Sequence, residues 1–327
     1  MEKISFILTS ILPAVICFAA TALILFFLPF GKKLLGADRG RKFAVGSEVN
    51  VGKPTGVGFY FVLVIAIVSC IFAYKNVSII LTMGLMVLAM ISGFLDDRAK
   101  NPWNEYVKGA LDFCLALAGA AIATIFFPTE IVIGLNGATI QIHPVLYFIL
   151  AVILIIVSIN ATNATDGVDG LSGTLTILTF FAFNFLSQIN QTNSPESLMI
   201  CEVIVGTIFA YLLFNFYPSK MLMGDAGSRA LGLLIAMYAM YVRLPLAYLV
   251  FGLPFMIDGG LSILKITIGR LTKKKVIILK NTLTPIHDHL KKRKGLSVPM
   301  TMAVICLAGL IIDIIYLGIT LFLHRGI

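Results

Sequence analysis

The chain alternates between long apolar runs and short polar segments along its whole length. Ten apolar runs are present, and all but the eighth approach or exceed the roughly 20 residues that a helix needs to cross a bilayer core. They lie at residues 5–31, 55–74, 77–94, 109–127, 144–162, 170–188, 198–217, 229–242, 246–268 and 298–323. The pattern predicts an all-α integral membrane protein with ten transmembrane helices, forming one polytopic domain over residues 1–327.

Composition and charge agree with this prediction and orient the chain. Hydrophobic residues make up 59% of the chain and charged residues 13%, against roughly 45–50% and about 25% in soluble domains. In a ten-helix arrangement, 20 of the 25 Lys and Arg residues fall on one side, in segments 32–54, 95–108, 217–229 and 269–297. Cytoplasmic loops carry such an excess, so both termini are predicted to be external. The net charge of +9 suits a lipid bilayer with anionic headgroups, or an anionic substrate; without a basic soluble domain, nucleic acid is not an expected partner.

Acidic side chains gather at the predicted cytoplasmic ends of the helices. Carboxylates brought together without a counter-charge repel one another, and a few carboxylates with retained water suit Mg²⁺. Adjacent glycines let the backbone approach a ligand closely, and lysines in neighbouring loops pair with phosphate. The combination predicts a magnesium-dependent site for a diphosphate and phosphoryl transfer at the membrane surface. Five aspartates from three loops form this group: Asp96, Asp97, Asp166, Asp169 and Asp225.

Each polar motif also has a simpler interpretation. The pair Asp96-Asp97 could be a solvated helix end, and segment 166–170 could be a turn held by Asx hydrogen bonds. Asp225 could be the N-cap of the eighth helix, and the basic run 291–294 could contact lipid headgroups. The location of all five acids on the most basic side of the chain favours a shared site over independent solvated acids.

Two features outside the acidic group predict local structure. Asp258 is followed by Gly259-Gly260 inside the ninth apolar run, which predicts a break in that helix. Acids within spans are costly and are expected to face protein or water. Between residues 129 and 144, alternating apolar residues around Asn136-Gly137 predict a short external β-ribbon.

Taken in order, the polar motifs resemble those of the polyprenyl-phosphate N-acetylhexosamine-1-phosphate transferases, over about residues 32–320. Within that superfamily, the residues of these motifs are most similar to those of the phospho-N-acetylmuramoyl-pentapeptide transferases. The motifs are Lys53-Pro-Thr-Gly-Val-Gly, Asp96-Asp97, Asn160-x-x-Asn-x-x-Asp-Gly-x-Asp-Gly, Asn215-x-x-Pro-x-Lys, Met223-Gly-Asp and Thr284-Pro-Ile-His-x-His.

The resemblance implies a multi-pass enzyme of the bacterial plasma membrane, expected to be a homodimer. Such an enzyme transfers phospho-N-acetylmuramoyl-pentapeptide from UDP (the substrate UDP-MurNAc-pentapeptide) to undecaprenyl phosphate, giving lipid I and UMP with Mg²⁺ as cofactor. Carried over by motif, Asp225 is implied as the metal ligand, and Asp96 as the base or, with its neighbour, a nucleophile. The implied catalytic residues are Asp96, Asp97, Asp225 and His287. The implied substrate-binding residues are Lys53, Thr55, Lys108, Asn160, Asn163, Asp166, Asp169, Asn215 and His289.

Two departures from the family pattern leave alternatives open. The middle position of a usual three-histidine loop is Asp288, and a position commonly held by an aromatic that stacks on uracil is Leu222. One alternative is therefore a transferase for UDP-N-acetylglucosamine. From another class, a transporter with intramembrane acids is also considered, but transporter sites lie near the bilayer midplane and often between inverted repeats. Here the acids lie at one face and no repeat is visible.

Overall fold

The computed structural model describes residues 11–28, 35–38, 51–99, 101, 103–276 and 278–325, which fold mainly as helices. The helices are α1 (Leu12–Phe27), α2 (Gly58–Phe72), α3 (Val77–Arg98), α4 (Glu105–Phe126), α5 (Pro144–Thr165), α6 (Leu171–Ile189), α7 (Pro195–Asn215), α8 (Gly224–Tyr241), α9 (Tyr248–Phe251), α10 (Leu253–Phe255), α11 (Leu261–Leu271), α12 (Ile286–Lys294) and α13 (Val298–Arg325). Strands β1 (Gly36–Ala37) and β2 (Pro54–Thr55) pair antiparallel, as do β3 (Glu130–Val132) and β4 (Thr139–Gln141).

Six of these helices are long and apolar enough to cross a membrane, namely α3, α4, α5, α6, α7 and α13. A bent pair, Pro245–Phe251 with Leu253–Leu271, makes a seventh if its two parts form one span. Helices α1 and α2 are apolar but shorter. The predicted class, an all-α membrane protein, is therefore confirmed. The count of ten spans and the orientation in the membrane stay predictions.

Helix α8 lies at the centre of the bundle. Every residue from Ala226 to Met240 is buried, and the helix packs chiefly between α3 and α5. Its small residues let neighbouring backbones approach, as at interfaces between membrane helices. A Cβ built on Gly232 would lie only 2.6 Å from the carbonyl oxygen of Ser158. Close packing against α3 and α5 therefore fixes the position of α8, including its first residues.

Replacing Gly93 by alanine is expected to destabilise the protein by about 1–3 kcal/mol, the usual cost of overpacking. A Cβ at this position of α3 would overlap the carbonyl group of Asp225 at the start of α8. The matched control is Gly84→Ala on the same helix, where nothing lies within 4 Å of the added Cβ. Alanine's higher helix propensity, about 1 kcal/mol over glycine, should leave that variant as stable as the parent or more so. Equal unfolding free energies of the two variants in detergent would contradict the close packing of α3 on α8.

The ninth predicted segment is broken, but the break lies at Gly252 and not at Asp258-Gly-Gly, where the sequence predicted it. The part Pro245–Phe251 is bent by 59° against the part Leu253–Leu271. Within the second part, a π-helical turn, Met256–Gly260, leads from α10 into α11. A π-helical turn holds an extra residue within a helix and is frequent at functional sites. Asp258 lies in this turn and is 1% exposed.

The predicted β-ribbon between residues 129 and 144 is confirmed. Strands β3 and β4 pair with Ile131 opposite Ile140, and the turn contains Gly137 at φ +78°, a conformation that glycine adopts without strain. The ribbon is fastened to the bundle by Arg243, which forms an ion pair with Glu130. The backbone N–H of Val132 also donates to the carbonyl of Arg243 over 2.9 Å.

Candidate active site

The predicted acidic site lies where four helices meet at one end of the bundle. Asp96 and Asp97 belong to the last turn of α3, and Lys108 to the first turns of α4. Asn163 lies in the last turn of α5, and Asp225 is the second residue of α8. These residues lie up to 129 positions apart in the sequence. The side chains of Asp96, Lys108, Asn163 and Asp225 contact one another, and Asp97 contacts the backbone at the start of α8.

Lys108 is the central cation of this cluster. Its Nζ lies 3.0 Å from Oδ2 of Asp225 and forms a second ion pair with Asp96. The other oxygen of Asp225, Oδ1, accepts a hydrogen bond of 3.0 Å from Asn163, which also donates to Ser228 over 2.9 Å. Burial alone would raise the pKa of the Asp225 carboxyl, but Lys108 and Asn163 hold that pKa below its ordinary value. These two contacts therefore favour the ionised form of Asp225, which precedes the apolar segment 229–242.

Asp97 has a different role from its neighbour. Its Oδ1 accepts the backbone N–H of Asp225 over 3.1 Å, and its Oδ2 accepts that of Ala226 over 3.0 Å. A carboxyl group at a helix N-terminus satisfies N–H groups that have no partner within the helix. Asp97 thus caps α8 from another helix, and it fits only because Gly224, at φ +68°, has no Cβ to overlap its oxygen. The alternative that Asp225 is itself the N-cap is wrong, since α8 begins one residue earlier.

A buried ion pair lies behind the cluster. Arg229, one turn beyond Asp225, forms a 2.5 Å ion pair with Asp112 of α4, and their side chains are 2% and 5% exposed. Asn160, which the resemblance assigns to substrate binding, donates to Asp112 over 3.3 Å. Its side-chain amide is therefore engaged with this pair in the present structure.

The loop between α5 and α6 is held by a second polar network. Asp169 accepts the backbone N–H of Ser219 over 2.9 Å, and Lys53 donates to the hydroxyl of the same serine over 2.9 Å. Asn215 accepts the N–H of Gly170 and donates to the carbonyl of Met221, both over 2.9 Å. Asp169 and Asn215 are buried, so their observed contacts fix the shape of the loop.

The remaining residues of the first motif connect this loop to the acidic cluster. Thr55 lies in β2, opposite Gly36 of β1. The carbonyl of Pro54 accepts the N–H of Leu222 over 2.9 Å, and the N–H of Val57 donates back to the carbonyl of Leu222. Through these hydrogen bonds, the first motif runs alongside the segment that precedes α8. Asp166, the C-cap of α5, is half-buried.

The two histidines of the last motif have unequal surroundings. His287 is 3% exposed, and its Nδ1 lies 2.8 Å from Oδ2 of Asp258. The backbone N–H of the same histidine donates to Oδ1 of Asp258 over 2.6 Å. The Nδ1 of His289 instead accepts the backbone N–H of Leu283 over 3.2 Å, which folds the loop ahead of α12.

Three contacting residues were missed by the motifs. Ser219 and Ser228 hold a lysine and an asparagine of the site, and Asp258 holds a histidine. Serines carry no signal in a single sequence. An acid inside an apolar run is such a signal, because burying it without a partner is costly, but its partner could not be read from spacing.

The donor chemistry fits a magnesium ion that is shared with substrate. Among the described residues, no group of three or more His, Cys, Asp or Glu side chains is arranged to hold a metal. Mg²⁺, however, commonly keeps several waters and binds through one or two carboxylates plus substrate phosphates. Each oxygen of Asp225 accepts one hydrogen bond, so a second lone pair remains on each.

Comparison with known proteins agrees with the geometry. Residues 77–243 match the family model described as glycosyl transferase family 4, and this stretch contains all four helices of the acidic cluster. A phospho-N-acetylmuramoyl-pentapeptide-transferase of Treponema pallidum (strain Nichols) is 31% identical over 282 residues, covering 81% of this chain and 77% of that relative. One of Streptococcus uberis is 28% identical over 297 residues, covering 86% and 88%. The chain therefore belongs to the phospho-N-acetylmuramoyl-pentapeptide transferases, within the superfamily of polyprenyl-phosphate hexosamine-1-phosphate transferases.

Proposed function

We propose that the protein transfers phospho-N-acetylmuramoyl-pentapeptide from UDP to undecaprenyl phosphate, forming lipid I and UMP in peptidoglycan synthesis. The observation that carries the proposal is the placement of Asp225, whose two carboxylate oxygens accept from Lys108 and Asn163 between the acids of α3 and the end of α5. The names of the relatives indicate the substrates. The acceptor lipid is confined to a bilayer, which suits a site at the ends of apolar helices in the bacterial plasma membrane.

In the proposed reaction, an oxygen of the lipid phosphate attacks the phosphorus that is attached to the sugar. The bond from that phosphorus to the oxygen bridging to the uridylate breaks, and the bridging oxygen leaves with UMP. The sugar keeps its phosphate, so the lipid product carries a diphosphate. Positioning and charge stabilisation supply most of the rate enhancement in such transfers. Lys108 neutralises anionic oxygens, and Asp96 is the proposed base for a protonated lipid phosphate.

A magnesium ion is the proposed cofactor, with Asp225 as its protein ligand. When bound, Mg²⁺ neutralises the charge of the diphosphate. The protein's own groups then orient the substrates. Asp97 fixes the start of α8 and so the direction of the Asp225 side chain. The loop held by Asp169 and Asn215 is the proposed nucleotide pocket, and the histidine loop contacts the sugar or diphosphate.

The identity of the transferred sugar is tested by a panel of donors. Purified protein in proteoliposomes containing undecaprenyl phosphate receives UDP-MurNAc-pentapeptide or UDP-N-acetylglucosamine, and the lipid product is identified by mass spectrometry. We expect a lipid diphosphate carrying MurNAc-pentapeptide. A product formed only from UDP-N-acetylglucosamine would keep the reaction and contradict the substrate.

Replacing Asp288 by asparagine is expected to leave activity within about twofold of the parent, since its carboxylate pairs within its own helix and not with the acidic cluster. Asp288 stands where relatives usually have a histidine, and its ion-pair partner is Lys291, one turn along the same helix at 3.4 Å. UMP release at saturating substrate measures the effect. A loss of tenfold or more would give Asp288 a place in the reaction.

A further inference from the structure

Asp258, in the π-helical turn, and His287, in α12, form a buried pair. Both carboxylate oxygens of Asp258 are engaged by one residue: Oδ1 accepts the backbone N–H of His287 over 2.6 Å, and Oδ2 lies 2.8 Å from its Nδ1. The two residues are 1% and 3% exposed. Because a carboxylate accepts hydrogen bonds, this pairing assigns the imidazole proton to Nδ1.

The other ring nitrogen faces the predicted nucleotide loop. A Cβ built on Gly167 would lie 2.5 Å from Nε2 of His287, so the ring edge lies directly against the backbone between Asp166 and Asp169. Among the residues that the structure describes, none forms a hydrogen bond to Nε2. In the neutral ring protonated at Nδ1, this nitrogen presents an acceptor lone pair beside the α5–α6 loop.

The π-helical turn explains how the pair reaches this place. A Cβ on Gly259 would overlap the carbonyl oxygen of Ala161, so the turn packs directly on the last two turns of α5. That part of α5 also supplies Asn163 to the acidic cluster. Asp258 and the cluster are thus fixed to the same helix end. The extra residue of the π-helical turn lets Asp258 be buried while the glycine beside it contacts α5.

We propose that Asp258 is a positioning residue, which holds His287 in the Nδ1-protonated tautomer so that Nε2 accepts a hydrogen bond from a hydroxyl or N–H of the sugar portion of the UDP-sugar. The inference rests on the proposed function, because it takes the donor substrate from there. Carboxylates that orient histidines in this way are known at metal sites, where their loss costs about 10–100-fold in affinity or activity.

The substitution Asp258→Asn tests this proposal, because it replaces one carboxylate oxygen of Asp258 with an NH₂ group. The asparagine oxygen still accepts the backbone N–H of His287, while its NH₂ group faces Nδ1 and forces the ring proton to Nε2. We expect the ¹⁵N spectrum of histidine-labelled protein at alkaline pH to show this change of tautomer. The chain has only four histidines, and His287→Gln assigns the signal.

We expect the activity of the enzyme to depend on which tautomer His287 adopts. For Asp258→Asn we expect KM for UDP-MurNAc-pentapeptide to rise about 10–100-fold, with KM for undecaprenyl phosphate unchanged and partial rescue by Asp258→Glu. Asp313→Asn is the matched control, since it removes another buried acid, in α13, and should alter neither the spectrum nor either KM. Loss of activity with the tautomer unchanged, or a changed tautomer with both KM values unchanged, would overturn the proposal.

The spectrum needs no turnover, which separates this inference from the one that it rests on. A parent protein that shows the Nδ1-protonated tautomer but releases no UMP would refute the proposed function, and with it the substrate part of the inference. A parent protein that releases UMP but carries the proton of His287 on Nε2 would refute the inference alone.

Discussion

Asp225→Asn is expected to lower the turnover number by about 10³-fold or more while the protein still folds. Loss of one preorganised electrostatic contact to a transition state costs about 10²–10³-fold, and this change also removes the proposed ligand of the metal ion. The amide would present an NH₂ group to Lys108 or to Asn163, both of which are donors. One of the two contacts would therefore be lost as well.

Folding should survive because the neighbouring contacts do not depend on the charge of Asp225. Lys108 keeps its ion pair with Asp96, and Asp97 still caps α8 through the backbone. Asp288→Asn is the control for a change of carboxylate to amide. The measurement is the rate of UMP release, alongside the melting temperature in detergent. Activity of Asp225→Asn within threefold of the control would remove Asp225 from the proposed mechanism.

The largest loss of stability is expected for Arg229→Met, at about 3–5 kcal/mol. Arg229 is the partner of Asp112 in a buried ion pair, and removing it leaves a carboxylate without its counter-charge in the interior. Exposed pairs contribute only about 0–1 kcal/mol. The matched control is therefore Arg243→Met, whose ion pair with Glu130 is partly exposed.

A second substitution separates the lost charge from the lost packing. In Arg229→Met with Asp112→Leu, both charges of the pair are gone, and well-packed apolar replacements of buried pairs are often neutral. We expect the double variant to recover most of the free energy of unfolding, measured by reversible unfolding in mixed micelles. A double variant as unstable as the single one would mean that Arg229 stabilises the fold by packing alone.

The membrane class and most helix positions could be predicted because they depend on local patterns. Apolar runs and an Asn-Gly turn each act within a few residues. The start of α8 was predicted five residues late, at 229 instead of Gly224. The polar residues there lower the local hydropathy, and what keeps them helical is Asp97, a cap that lies 128 residues earlier in the chain.

The members of the site could be predicted from their motifs, but their partners could not. Lys108 and Asp225 are 117 residues apart, and Asp258 and His287 are 29 apart. No spacing rule connects such positions, because the contact is made by the packing of whole helices. The same is true of Asn160. Its motif implies a role in substrate binding, whereas in the structure its side-chain amide contacts Asp112. The polar residues of the site can thus be identified from the sequence, whereas the packing of the helices determines which of them are in contact.

The most direct test of the proposed chemistry is the identity of the nucleotide released. Purified protein in proteoliposomes receives Mg²⁺, undecaprenyl phosphate and UDP-MurNAc-pentapeptide, and the products are separated chromatographically. Attack on the phosphorus attached to the sugar predicts UMP, released only when lipid, metal and donor are all present. Release of UDP would mean that the sugar is transferred without its phosphate, and would contradict the account.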